Sequence, residues 1–488
     1  MNRLPPIRAF FFCLLLLGGC SKPESASEGQ PAKRPLEGLT LRLAVVDDPA
    51  LAAAVVRLRG EWNTQTGAEL QVRQVAEKDL LRSDALPADA VLCPSHLLGV
   101  LAERKLLAAV PPAILSGAQW GDLFELLKLR EAAWGQQIMA VPFGSPLLTC
   151  YYRADLLEKL GRKPPRTWTD YEELAKLLAA QKPAGKTAWS GTVEPLAPGW
   201  AGLVLLARAA AYAKHRDNYS ALFNVETMEP LVADPPILHA LEKLVAAAKL
   251  GPADPLRYDP AAARAAFWKG ECGMALTWPT AANPGNVVGG GKEAAQETIP
   301  DKIDAHIRVG FAELPGAPRV FNLGSHTWDN RTDDDDPRVP LLAVAGRLGM
   351  VSAKSAHTDA AFQLLLWLSD SRLSPQVSAT SPATTLFSSA HLKSPSLWVE
   401  KPVSATAAVQ YADATEAALR HEQWLGALRL PGRPEYLAAL DEAVAVAVHG
   451  EKPPLEALLQ ADKKWREITR RLGLERQRLA YRHSLGLE

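Results

Sequence analysis

The sequence has no excess of charge of either sign, because 54 lysines and arginines balance 54 aspartates and glutamates. A nucleic-acid-binding protein normally presents a basic face, so this balance argues against that class. Hydrophobic residues make up 48% of the chain, which is typical of a globular protein. The 488 residues are too many for one ordinary core, and two domains are therefore expected.

Cysteine is scarce, and its spacing does not suggest a metal site. Beyond the first twenty residues only Cys93, Cys150 and Cys272 occur. An exported protein could pair two of them in a disulfide. Three is an odd number, however, and Cys93 and Cys150 lie in apolar strand patterns, which favours buried free thiols. We expect neither a metal nor another cofactor.

Long hydrophobic runs are also missing. The longest, AFFFCLLLLGG at 9–19, is too short to span a bilayer but has the size of a signal-peptide core. It ends in Leu17-Gly18-Gly19-Cys20, which resembles the lipobox of bacterial lipoproteins, with Cys20 as the lipid-modified residue. The alternative is an ordinary secretory signal followed by a chance cysteine. A lipid on Cys20 would anchor the protein without spanning the membrane, with its folded part in the periplasm or otherwise outside the cytoplasmic membrane.

Residues 21–38 are rich in serine, proline, glutamate and lysine, so they predict a flexible tether. The next stretch alternates between strands and helices. Strands are predicted at 39–46, 69–75 and 88–94, and helices at 49–66 and 97–107. A β-α-β-α-β-α order over the first 110 residues indicates an α/β fold with a doubly wound open sheet.

The remainder combines further strands with long helices. Strands are expected at 138–144, 147–153, 274–278 and 308–314, and an apolar stretch at 341–352. A capping box at Thr169–Glu172 is expected to open one helix, and Thr358 is expected to cap another. Other helices are predicted at 154–161, 200–215, 236–250, 260–269 and through most of the chain after 404. No internal repeat is visible.

Five segments carry a family likeness. They are the stretch from Asp89 to Ala109, the passage PFGSPLLTCYYRADLLEKLGRKPPRTWTDYEELAKLL, the element from Phe267 to Met274, the segment LGMVSAKSAHTDAAFQLLLWLSD, and the C-terminal helices from YLAALDEAV onward. In this order they resemble the extracellular solute-binding proteins of ABC importers, of the maltose-type sugar-binding group. The likeness covers about 39–475.

The resemblance implies a two-lobed periplasmic-binding-protein fold of type II, with sheets joined by hinge strands and a helical C-terminal section. It implies lobe 1 at 39–146 and 341–370, and lobe 2 at 147–340 and 371–488. It also implies a monomer that delivers a small solute, a sugar or oligosaccharide, to ABC permease subunits without covalent chemistry. Two polar insertions, 283–305 and 322–340, depart from the family pattern.

Ligand contacts are expected from loops at the carboxyl ends of strands, where strand order reverses. Carboxylates, arginine and histidine can serve several hydroxyl groups, and aromatic rings can cover the apolar face of a sugar. The candidates are Asp47, Asp48, Ser95, His96, Ser145, Glu194, Trp200, Trp278 and Arg347.

Most of these residues have a structural alternative. Asp47 or Asp48 could cap the helix that begins at Pro49. His96 could be solvated at a helix start, Trp200 could belong to the core, and Arg347 could pair with an acid across the sheet. Trp168, beyond the Pro164-Pro165 turn, is expected to serve packing, and the aspartates 333–336 are expected to form a solvated loop.

Two other functions compete with solute binding. An enzyme is disfavoured, because the sequence has no HExxH, GxSxG or CxxC motif, and GNVVGGGKE at 285–293 departs from P-loop spacing. A lipoprotein of the same fold acting as a sensor or scaffold component remains the alternative.

Overall fold

The computed structural model describes residues 34–183, 188–282, 306–332 and 335–488. The predicted signal peptide, Cys20, most of the predicted tether and the predicted insertion 283–305, with its P-loop-like stretch, lie outside the described residues. Asp333 and Asp334 also lie outside them. Within the described part of the chain, no helix is both long enough and apolar enough to cross a membrane.

The described strands, in chain order, have the following bounds: β1 Thr40–Val46, β2 Glu69–Val75, β3 Ala90–Pro94, β4 Ala133–Trp134, β5 Gln137–Ile138, β6 Val141–Pro142, β7 Thr149–Arg153, β8 Ser190–Val193, β9 Cys272–Thr277, β10 Val309–Glu313, β11 Arg319–Asn322, β12 Thr327–Asn330, β13 Leu341–Leu342, β14 Arg347–Val351 and β15 Leu425–Gly426.

The described α-helices have these bounds: α1 Pro49–Arg57, α2 Arg59–Thr66, α3 Glu77–Arg82, α4 Leu98–Glu103, α5 Pro112–Leu115, α6 Ala118–Gly121, α7 Ala154–Leu160, α8 Trp168–Ala179, α9 Ala201–Ala213, α10 Pro235–Ala248, α11 Pro260–Trp268, α12 Thr358–Ser369, α13 Ser374–Val377, α14 Ala405–Ala418, α15 Arg433–Val448, α16 Pro454–Leu472 and α17 Leu474–Ser484. Short 3₁₀ and π turns link some of them.

One sheet, here called sheet I, has the strand order β2-β1-β3-β14-β6. Strands β1, β2 and β3 are parallel, whereas β14 runs antiparallel to both β3 and β6. Every residue of β3 and β14 is buried, as is usual for central strands covered by helices on both faces. The carboxyl ends of β1 and β3 therefore meet the beginning of β14 at one edge.

The other large sheet, here called sheet II, has the order β10-β7-β9-β8. Strand β7 is antiparallel to β10 and β9, and β8 is parallel to β9. The chain passes from sheet I to sheet II through residues 143–148. Gly144 lies in this connection with φ of 113°, and a Cβ there would come within 2.6 Å of the Thr385 carbonyl oxygen, so the position requires glycine.

The helices after residue 404 pack mainly on one another, on α9 and α10 and, through α14, on β10 of sheet II. Helix α15 contacts α16 and α9, and α14 contacts β10. Phe223 stacks on Trp465 with ring centroids 4.8 Å apart, inside a cluster that also holds Tyr436 and Tyr481. The predicted helical C-terminal section is therefore present in the structure.

Several local predictions need correction. The capping box of α8 is formed by Thr167 and Asp170 and not by Thr169 and Glu172. Thr358 is the first residue of α12 and makes no side-chain cap. The strand expected at 138–144 is reduced to the short strands β5 and β6, and the helix expected at 49–66 is divided at Leu58.

Other local predictions are confirmed. Cys93, Cys150 and Cys272 are buried and unpaired, and burial raises the pKa of each thiol, that of Cys93 to about 12. Trp168 is 2% exposed and packs edge-on against Tyr171.

Part of the predicted insertion 322–340 is ordered structure. Residues 327–330 form β12, which pairs with β11 in an antiparallel hairpin. Near the end of the insertion, Arg338 binds the Asp336 carboxylate, with Nε 2.8 Å from Oδ1, and also forms an ion pair with Glu313. Burial of the Asp336 carboxyl opposes its ionisation, but the bonds and the charge that Arg338 supplies outweigh this effect and lower the pKa of Asp336 to about 2.

Candidate ligand-binding cleft

A cavity of about 410 Å³ lies between the edge of sheet I described above and the helices and strand ends of sheet II. It is large enough for a small solute. The residues that line it are Pro94, His96, Gly199, Trp200, Leu203, Asp259, Pro260, Ala261, Arg264, Trp278, Val344, Ala345, Gly346, Arg347, Pro382, Ala383 and Arg433. Four of the nine predicted site residues are among them: His96, Trp200, Trp278 and Arg347.

Asp48 lies behind the wall of this cavity and holds Arg347 in place. Its carboxylate Oδ2 is 2.9 Å from Nε of Arg347, and Oδ1 accepts a hydrogen bond from the backbone N–H of Leu51 at 3.1 Å. The Ser381 hydroxyl donates to the same carboxylate at 2.5 Å. Asp48 therefore caps α1 and orients an arginine of the cavity wall, as two of the structural alternatives anticipated.

Asp47 and His96 are connected through the start of α3. The Asp47 carboxylate is exposed and accepts a hydrogen bond from the backbone N–H of Glu77 at 3.0 Å. His96 Nε2 lies 3.2 Å from a carboxylate oxygen of Glu77. This hydrogen bond lowers the pKa of Glu77, while burial lowers the pKa of His96. Asp47 does not line the cavity, but it helps position the acid that binds His96.

Ser95 and Ser145 are buried beneath the turn 344–346 and do not line the cavity. The Ser145 hydroxyl donates to the Ala345 carbonyl oxygen at 3.0 Å. A Cβ added to Gly346 would lie 2.7 Å from Ser95 Oγ and 2.9 Å from Ser145 Oγ. The two hydroxyls therefore occupy the space that a side chain at position 346 would need, so this position requires glycine. Glu131 lies beside them, and burial raises its pKa.

Trp200 and Trp278 form the aromatic part of the cavity wall. Their ring centroids are 5.5 Å apart and their planes are inclined by 49°. The indole N–H of Trp278 donates to the Pro382 carbonyl oxygen at 2.9 Å, which fixes the ring at the end of β9. Trp200 is partly exposed and Trp278 is 5% exposed, so the pair offers an apolar surface with limited side-chain freedom.

Glu194 lies elsewhere, in the interior of the part of the chain built on sheet II. Its Oε1 is 2.6 Å from Nη2 of Arg208, and both side chains are almost fully buried. The Arg208 guanidinium also lies 3.9 Å from the centroid of the Trp168 ring. Glu194 thus neutralises a buried arginine, and it does not line the cavity.

Sequence reasoning missed three charged residues of the lining: Asp259, Arg264 and Arg433. Asp259 caps α11 by accepting a hydrogen bond from the Ala262 N–H at 2.7 Å, a role that an aspartate before Pro260 could have indicated. Arg264 lies one turn further along α11, and Arg433 begins α15. Neither follows a strand, so the strand-end rule could not find them.

Two sheets joined by crossing segments, with a cavity between them, define a two-lobed ligand-binding protein. A model of the family of bacterial extracellular solute-binding proteins matches residues 61–372, more than half of the chain. The chain therefore belongs to this family, which confirms the resemblance described above. Among curated proteins, none matches the chain.

Two solved structures illustrate the fold. An ABC transporter solute-binding protein from Agrobacterium radiobacter K84, in complex with ribitol, is 19% identical with a TM-score of 0.60, over 89% of this chain and all of that chain. Maltose-bound MalE3 of T. maritima is 18% identical with a TM-score of 0.61, over 88% of this chain and all of that chain. At these identities the likeness shows the fold, which is the expected α/β periplasmic-binding-protein fold.

Proposed function

We propose that this protein is the substrate-binding component of an ABC importer and captures a sugar or oligosaccharide in the 410 Å³ cavity. The observation that carries the proposal is that the Trp200–Trp278 pair, on the sheet II side, lines the same cavity as His96 and Arg347, on the sheet I side. An aromatic surface beside fixed hydrogen-bond donors suits a ring with one apolar face and many hydroxyl groups. The family and the ribitol and maltose complexes of the structural neighbours support this choice.

In this proposal the residues of the cavity wall bind the ligand directly. Trp200 and Trp278 pack against its apolar face, and His96 and Arg347 bond its hydroxyls. Asp48 positions Arg347, and Asp47 positions Glu77, which in turn bonds His96. The lobes rotate about the connecting segments, close over the ligand and present a composite surface to a permease. The protein itself carries out no covalent step.

We also propose that the protein works outside the cytoplasmic membrane as a lipid-anchored monomer, with Cys20 as the modified residue. Cells that express the protein would be labelled with a fatty-acid analogue. We expect label in the protein and none after Cys20→Ser. Equal labelling of both forms would contradict the anchor at Cys20, without bearing on ligand binding.

A thermal-shift screen tests the binding function. The purified protein would be screened against sugars, sugar alcohols, oligosaccharides, amino acids and polyamines. A ligand present at a hundred times its dissociation constant should stabilise the fold by about 2.7 kcal/mol. We expect a shift with one class of carbohydrate. A response to amino acids or polyamines alone would refute sugar binding.

The Trp278→Ala variant then tests the site. Loss of a stacking ring should weaken binding of the identified sugar by about tenfold or more, measured by titration calorimetry. Trp120→Ala is the matched control, because this tryptophan is buried to the same degree, 4% exposed against 5% for Trp278, and does not line the cavity. Unchanged affinity in Trp278→Ala would exclude this cavity wall as the sugar site.

A further inference from the structure

The charged side chains that line the cavity are mostly basic. Three arginines, Arg264, Arg347 and Arg433, face it together with one carboxylate, that of Asp259. Arg347 is already paired with Asp48. The Asp259 carboxylate is engaged by the Ala262 N–H at the start of α11. Arg264 and Arg433 are therefore the two arginines of the lining that form no ion pair with a carboxylate among the described residues.

Arg264 is 8% exposed, so its charge has lost most of its hydration. Its Nη1 donates to the Trp278 carbonyl oxygen at 2.9 Å. Within the described residues, the guanidinium forms no ion pair with a carboxylate. A buried cation without an acidic partner is costly unless a ligand supplies the opposite charge.

Arg433 is in a similar position on another element. Its Nε is buried and has no hydrogen-bond partner among the described residues. Burial lowers the pKa of Arg433 to about 10, although Glu77 and Asp441 act in the opposite direction. Neither acid forms an ion pair with Arg433 in the described part of the chain, because each is held by other groups. Glu77 bonds His96, and Asp441 accepts hydrogen bonds from the backbone N–H groups of Gly199 and Gly202, at 2.6 and 2.7 Å.

We propose that the ligand is an anionic sugar whose carboxylate or phosphate group is bound by Arg264 and Arg433. This inference rests on the proposed sugar-binding function and narrows its substrate class. A guanidinium matches the two oxygens of a carboxylate or phosphate, and the resulting bonds are stronger than those between neutral groups. The Trp200–Trp278 pair receives the apolar face of the sugar ring, while the two arginines select for its negative charge.

Matched pairs of sugars test the proposal. Binding of glucuronate, galacturonate and glucose 6-phosphate to the purified protein would be compared with that of glucose, galactose, maltose and ribitol by titration calorimetry. We expect at least one acidic sugar to bind more tightly than its neutral counterpart, by about tenfold or more. Comparing the two uronates with glucose 6-phosphate shows whether the site binds a carboxylate or a phosphate. Higher salt should weaken binding of the acidic sugar more than that of a neutral one.

Two substitutions test the arginines, and a third serves as control. Arg433→Gln and Arg264→Gln remove charge but keep hydrogen-bonding capacity, and each should weaken binding of the acidic sugar by about tenfold while changing neutral-sugar binding little. Arg420→Gln is the control, because this arginine is exposed, lies just beyond the end of α14 and pairs with Glu416 of that helix. Melting temperatures of the unliganded variants separate loss of binding from loss of folding.

The outcomes distinguish this inference from the function on which it rests. Tight binding of neutral sugars with no preference for acidic ones would overturn the inference and leave the sugar-binding function standing. Binding of an acidic sugar with unchanged affinity in both arginine variants would overturn the assignment of the charge to Arg264 and Arg433. Failure of every sugar to bind would overturn both proposals.

Discussion

At the scale of single residues, the turn before β14 shows how closely one side of the cavity is built. Gly346 has φ of 126°, which is rarely accessible to other residues, and Arg347 follows it directly. Arg347 then pairs with Asp48, which lies just after β1. The turn therefore brings together two residues that are far apart in the sequence, and it allows no side chain at Gly346.

Gly346→Ala should destabilise the protein by about 2 kcal/mol or more, because the new Cβ would lie in a strained backbone conformation and contact Ser95 Oγ at 2.7 Å. Urea unfolding would measure this change. Gly161→Ala is the control, since it also has positive φ, of 61°, but nothing lies within 4 Å of the added Cβ. That variant should lose about 1 kcal/mol. Equal losses in the two variants would show that contacts at Gly346 are unimportant.

His391 should make stability depend on pH. Its Nε2 lies 2.8 Å from the Ser374 hydroxyl, and its Nδ1 accepts a hydrogen bond from the Phe387 N–H. Burial lowers its pKa to about 3, whereas an unfolded histidine has a pKa near 6.5. As pH falls, the unfolded chain gains the proton first. Stability should thus decrease below about pH 6.5, by at most about 1.4 kcal/mol per pH unit, until about pH 3.

His391→Gln removes this titration, so its unfolding free energy should vary less between pH 7 and 5, although the variant is less stable at pH 7. Urea unfolding at three pH values would measure the difference. His449→Gln, at a position that is about half exposed, should keep the wild-type slope. If His391→Gln kept that slope as well, the acid sensitivity would have to come from other groups.

At the scale of elements, the start of α8 shows what sequence patterns can and cannot settle. Thr-x-x-acid occurs twice in Thr167–Glu172, and both versions satisfy the capping-box pattern. The structure uses the first: Thr167 Oγ1 accepts from the Asp170 N–H, and the Asp170 carboxylate accepts from the Thr167 N–H. Trp168, buried against Tyr171, is the first residue of the helix, two residues before the start that the second pattern requires.

Thr167→Ala should therefore cost about 1 kcal/mol of stability, because the N–H of Asp170 loses its acceptor. Thr169→Ala should have little effect, since Thr169 is exposed and lies inside the first turn. Chemical denaturation of the two variants side by side would measure both effects. A larger loss in Thr169→Ala would favour the capping box that the sequence alone predicted.

At the scale of the whole molecule, the sequence predicted the class of fold but only part of the cleft. Helical periodicity and buried strands such as β3 are local signals, so the α/β order could be read directly. The cavity is not local: Arg264 lies on α11, Arg433 begins α15, and Trp278 follows directly after β9. Only the packing of these elements brings the three together. Conversely, Glu194 has the local setting of a cleft residue, yet its neighbour Arg208 holds it in the core. The lobe boundaries stay predictions.

Ligand binding should make the whole molecule more compact. The Trp278 indole, just after a strand of sheet II, donates a hydrogen bond to the Pro382 carbonyl oxygen. Residues 374–380, which shortly precede Pro382, pack on α1 beside sheet I. The cavity thus lies where the two halves meet, and a ligand that contacts His96 and Arg264 together would favour their approach. Small-angle scattering should show a smaller radius of gyration with saturating ligand. At a ligand concentration that saturates the wild type but not Trp278→Ala, the radius of gyration of the variant should decrease less than that of the wild type. An unchanged radius in the saturated wild-type protein would argue for a cleft that binds its ligand without closing.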